Sequence, residues 1–190
     1  MSSEASEKIN FRIELRLKPA EAGERELKNW PAVNFTPDFA VAASGVVRIE
    51  LAGQMIGAKD GKLMSVETRF AQRLQQDINF WLPDYIGGFA LNLGRALQIL
   101  RDGKSLSKAS FVDEPMVLQF RRQPSKGSIL VGFEAEGKSI RAAEITEKTL
   151  YAEVSRALQT FRRQLLELNP ELARQQDVLE LTQQIQKLGV

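Results

Sequence analysis

The 190-residue sequence contains no histidine and no cysteine. Most side-chain chemistry near neutral pH uses imidazole for proton transfer or thiolate for nucleophilic attack. The double absence excludes Ser-His-Asp and Cys-His sites, zinc fingers, thiol-redox centres and His-ligated haem built from the chain's own residues. Without cysteine there are also no disulfides, so packing must hold the fold, which suits a reducing compartment. A long uninterrupted apolar run is missing too. The most apolar stretch, residues 82–100, is broken by Asp84 and Arg95, whereas a membrane span needs about 20 largely uncharged residues. It reads as a core helix. Residues 2–8 are polar and lack the basic-then-apolar order of a secretion signal, so the expected location is cytoplasmic. The glycosylation sequon at Asn34, Phe35 and Thr36 is then a chance match.

Apolar residues make up 43% of the chain and charged residues 26%, enough to build a core and unlike a disordered chain. The length suits one domain. Residues 1–168 read as a single α+β domain and residues 169–190 as a helical extension docked on it. Net charge is +2, but residues 95–141 alone carry nine Lys or Arg against five acids, and each flank carries −1.

Two periodicities set the expected elements. Ile9, Phe11, Ile13, Leu15 and Leu17 alternate with polar residues, which predicts a half-buried strand over residues 8–17. Residues 18–30 are charged and interrupted by Pro19 and Gly23, so a solvated connection with room for a helical turn is expected. Val33, Phe35, Phe39 and Val41 are expected to run extended along an edge, made irregular by Pro31 and Pro37. Val47, Ile49 and Leu51 alternate with Arg48 and Glu50 in a strand over residues 45–56, with Asp60-Gly61 turning a hairpin back through Leu63.

From Ser65 the spacing becomes helical: Phe70, Leu74, Ile78 and Trp81 fall on one face, which places Trp81 in the core, and Pro83 stops the run. A second helix over residues 84–100 is apolar on several sides and ends at Asp102-Gly103. Gly87, Gly88 and Gly94 in it suit a close helix crossing. Strands follow at residues 109–112, 116–122, 128–135 and 139–143, with turns at residues 123–127 and at Glu136-Gly137-Lys138. Thr146 opens a long helix carrying Leu150, Val154, Leu158, Phe161, Leu165 and Leu168. Asn169-Pro170 is a stop and restart, with Asn169 as cap and Pro170 at the first position of a terminal helix through Leu188. The expected architecture is α+β: a mainly antiparallel sheet, an inserted helix pair, one long helix and one terminal helix.

Three motifs fail on spacing or context. Ser105 to Lys108 matches S-x-x-K, but no S-D-N or K-T-G element accompanies it. Gly57 and Gly61 are separated by three residues rather than four, and Leu63 follows Lys62, so no phosphate loop is formed. Asp84 with Glu136 and Lys138 follows an acid-acid-lysine order used by magnesium nucleases, yet residues 136–138 read as a hairpin tip.

The leading expectation for function is therefore a non-enzymatic protein-binding module, an accessory subunit or an immunity-type inhibitor that occludes another protein, with no cofactor and no metal. The candidate surface comprises Arg121, Arg122, Lys126, Lys104 and Lys108, plus Leu179 and Ile185 on a terminal helix rich in glutamine. A nucleic-acid partner for the basic segment is the alternative, although Phe111, Phe120 and Phe133 sit in strand patterns and read as core rather than stacking platforms. A magnesium-dependent hydrolase using Asp84, Asp113, Glu114 and Glu136 is the third possibility.

Overall fold

A computed structural model describes residues 10–36 and 38–189. The polar residues 2–8, Ile9 on the expected first strand, and Pro37 lie outside the described residues. In chain order the elements are β1 (Phe11–Leu17), α1 (Glu21–Asn29), α2 (Phe39–Ala42), β2 (Gly45–Leu51), β3 (Gln54–Lys59), β4 (Lys62–Glu67), α3 (Thr68–Leu74), β5 (Leu82–Asp84) and α4 (Ile86–Arg101). The chain continues through β6 (Leu106–Ser110), β7 (Met116–Gln123), β8 (Ser128–Ala135), β9 (Lys138–Thr146), α5 (Glu147–Leu168), a 3₁₀ turn (Pro170–Arg174) and α6 (Gln176–Leu188). This is the expected α+β fold, with its strands divided between two antiparallel sheets.

In the first sheet the order is β1-β2-β3-β4, with β5 pairing the other side of β2; the second is the meander β6-β7-β8-β9. Both sheets contribute to one hydrophobic core that includes the inner faces of α4 and α5. Phe89 of α4 meets Phe111 at a ring separation of 4.2 Å, and Phe111 meets Phe133 of β8 edge-on at 6.0 Å. Such aromatic pairs add to the burial term that drives the fold. The terminal helix α6 packs against α4 and α5, burying Val178, Leu181 and Leu188.

Alternation on β1 and β2 holds from Phe11 through Leu51, with inward Phe11, Ile13, Leu15, Val47, Ile49 and Leu51. The strand expected over residues 45–56 instead breaks at Ala52-Gly53, both at positive φ, which makes a first tight hairpin before the expected one at Asp60-Gly61. Alanine carries no turn signal, since a Cβ disfavours that conformation. Glu136-Gly137 also adopts positive φ and forms a hairpin tip.

Four expectations are corrected. Residues 18–30 contain a two-turn helix, α1, whose single buried side chain, Leu27, gives too little periodicity to read. The stretch from Val33 to Val41 is not an extended edge: Asp38 caps α2 by accepting the Val41 N–H at 3.0 Å. The helix expected to reach Trp81 shrinks to α3. Ser65 and Val66 instead extend β4, Asn79 bridges Ala58 of β3, and residues 82–84 pair with β2. Phe70 is 40% exposed, and Trp81 lies outside any helix. Asn169 caps as expected, accepting the Glu171 N–H at 3.0 Å, but the residues after Pro170 form a 3₁₀ turn, and Gln175 caps α6 separately.

Candidate functional site

The basic candidates do not act as one free cluster. Arg122 donates two 2.9 Å hydrogen bonds to the Glu147 carboxylate and one of 2.8 Å to the Leu100 carbonyl, so it ties β7 to the ends of α4 and α5. Lys126 is bound to Glu144 at 2.8 Å. Both charges are compensated locally. Arg121, Lys104 and Lys108 remain exposed. On α6, Leu179 is exposed while Ile185 packs against the core.

The carboxylates named for magnesium are also not gathered into a ligand set. Among the described residues no group of three or more Asp or Glu side chains is placed to hold a metal ion. Asp84 is nearly fully buried and accepts the N–H groups of Val112 at 3.0 Å and Asp113 at 2.8 Å. It pins the loop after β6 to the end of β5. Burial pushes its carboxyl above the ordinary value, opposed by the backbone donors, which favour the charged form.

A different group of residues converges on the outer face of the first sheet. Strand alternation turns Arg12, Glu14 and Arg16 of β1 and Arg48 and Glu50 of β2 away from the core. Leu82 pairs with Val47, so the preceding residue, Trp81, arrives beside Arg48. Asn79 shapes that approach by accepting the Trp81 N–H at 3.0 Å. The indole then meets the Arg16 guanidinium at 4.2 Å and that of Arg48 at 5.7 Å, measured to the ring centroid. Contacts of this kind contribute about 0.5–1 kcal/mol when exposed.

The electrostatics of these two arginines differ from those of their neighbours. Arg12 is paired with Glu14 at 3.0 Å and Arg156 with Glu153 at 2.7 Å. Glu50 accepts from the Thr68 hydroxyl at 2.8 Å. Among the described residues, neither Arg16 nor Arg48 has a carboxylate within ion-pair distance; Arg48 reaches only the Met55 sulfur, at 3.4 Å. Trp81 borders two clefts, of about 520 Å³ on the Arg48 side and about 260 Å³ on the Arg16 side. The arrangement offers two guanidinium forks and a half-buried indole to an acceptor-bearing ligand.

The sequence pattern places both arginines on an outward face but gives no reason to link them. The link is Trp81, which the helical reading assigned to the core. Comparison with known proteins found no matching family model, no matching curated protein and no matching solved structure.

Proposed function

We propose that this chain is a non-enzymatic, cytoplasmic protein-binding module, an accessory subunit or inhibitor that occludes a partner, and that its contact surface centres on Trp81. The observation that carries this reading is the half-buried Trp81 indole held against two arginines that lack carboxylate partners among the described residues. Tryptophan and arginine are enriched at the points where interfaces concentrate their energy, because each combines large contact area with directional donors. Two guanidinium groups without carboxylate partners among the described residues leave donors for an incoming acidic surface.

The decisive experiment is quantitative affinity capture from cells of the native host with wild-type protein, Trp81→Ala and Arg16→Glu, followed by titration of the captured protein in purified form. Loss of a saturable, wild-type-dependent complex in both variants supports the reading. An unchanged titration in both would place the contact elsewhere.

A further inference from the structure

The cleft beside Arg48 has an apolar floor. Met55, Ala71, Ile78 and Phe80 form a second hydrophobic cluster, separate from the main core, and all four line this cleft. Its rim is polar and uncharged apart from Arg48: Gln72 and Gln75 are exposed there. At about 520 Å³ it falls within the range of clefts that hold small ligands or side chains. On the far side of Trp81 the second cleft is lined by Arg12, Arg16 and Arg156 together with Glu14; Arg12 pairs with Glu14 and Arg156 with Glu153, and Arg16 has no carboxylate partner among the described residues.

We infer that the occupant is an extended acidic polypeptide segment that seats one bulky apolar side chain over Ile78 and Phe80 and places the next two side chains of the same face, both carboxylates, on Arg48 and Arg16. This identification rests on the protein-binding reading above. The two ring distances place the guanidinium carbons no more than about 10 Å apart. Side chains two residues apart on one face of an extended chain are separated by roughly 7 Å, so alternate acidic residues span the pair. Arg16 and Arg48 lie against the indole, whereas Glu50 of the same face is held by the Thr68 hydroxyl, so the charge at the ring selects an acidic rather than a basic segment. The apolar floor selects a polypeptide over a nucleic acid. A single strand needs an open aromatic face for stacking, whereas the Trp81 ring already carries Arg16.

The test uses the full chain and a fluorescein-labelled eight-residue probe whose one face reads phenylalanine, glutamate, glutamate and glutamate, with serine at the intervening positions, read by anisotropy. Comparators are the same peptide with lysine for glutamate, the same peptide with alanine for phenylalanine, and a 20-nucleotide oligothymidylate. The acidic probe is expected to bind, the lysine peptide not to, and the alanine peptide to bind about tenfold more weakly. Raising salt weakens the charged part of the contact.

Arg16→Glu with Arg48→Glu should abolish binding. Trp81→Ala carries a folding risk, so the exposed rim supplies a second pair of variants. Gln72→Glu with Gln75→Glu should weaken the acidic probe, and Gln72→Lys with Gln75→Lys should tighten it. Equal binding of acidic and lysine peptides, indifference to the rim variants, or preference for oligothymidylate would each overturn the inference. If capture of the partner still depends on Trp81 while the acidic probe fails, the protein-binding reading stands and the acidic segment does not.

Discussion

The Gln164 side chain replaces a missing neighbouring strand for Leu17: its Oε1 accepts the Leu17 N–H at 2.6 Å, while its Nε2 donates to the Leu15 carbonyl at 3.2 Å. Arg156, two turns earlier on α5, donates to the Ile13 carbonyl at 3.1 Å. β1 is an edge strand, and α5 covers the edge that would otherwise offer unpaired backbone groups to another chain. Gln164→Ala should therefore cost about 1–2 kcal/mol in urea unfolding, because the Leu17 N–H loses its acceptor. Lys148→Ala, at an exposed position on the same helix, should stay within about 0.5 kcal/mol. Equal effects would show that the edge bonds contribute nothing measurable.

Asp84 gives the fold a pH dependence of unusual sign for a carboxylate. Folding raises its pKa, chiefly through burial, so the folded state holds this proton more tightly than the unfolded chain does. Its contribution is fully present below the ordinary value of 3.8 and is lost as pH rises through the raised folded value. Asp84→Asn does not titrate. The stability advantage of wild type over Asp84→Asn should thus be largest at the acid end and shrink with rising pH, as measured by unfolding free energies taken across that window. An advantage that grows with pH would mean that the bonds from Val112 and Asp113, not burial, govern this carboxyl.

Arg121 and Arg122 are adjacent in sequence but do different things, which a pair of single substitutions separates. Arg122→Ala removes the bonds to Glu147 and to the Leu100 carbonyl and should cost about 1.5–3 kcal/mol. Arg121→Ala removes the same formal charge from an exposed position and should change stability by less than about 0.5 kcal/mol. Similar losses in chemical denaturation would refute the division. A fair test of nucleic-acid binding by the basic segment therefore reverses Arg121, Lys104 and Lys108 and leaves Arg122 in place.

Where burial follows one regular period, the elements were legible in the sequence. Phe11 to Leu17 and Val47 to Leu51 alternate because one face of each strand meets the core, and Leu150 to Leu165 recur at helical spacing because α5 buries one side. Legibility fails where a contact is set by tertiary neighbours. Ile78 and Phe80 are buried in a small cluster beneath α3, so the apolar spacing that simulated a helix through Trp81 belongs to two short segments of different type. The candidate site was hidden for a related reason. Arg16, Arg48 and Trp81 come from three separate strands or strand approaches, and only the pairing of β2 with both β1 and β5 brings them together.

The seating of α6 depends on the absence of a side chain at Gly94. A Cβ there would collide with the Gln184 side chain, whose Cδ lies 2.6 Å from that position. Gln184 is itself buried, with its Nε2 donating to Glu180 at 2.9 Å and to the Leu91 carbonyl of α4 at 3.4 Å. Gly94→Ala should therefore destabilise the protein by about 1–3 kcal/mol through overpacking, and should speed proteolytic removal of the C-terminal helix. In a Gln184→Ala background the obstructing amide is gone, so the added methyl enters vacated space and the same substitution should cost much less. The expected coupling between the two positions is on the order of 0.5–3 kcal/mol, measurable as a double-mutant cycle in urea unfolding. Strict additivity would mean that α6 does not rest on α4 through this pair.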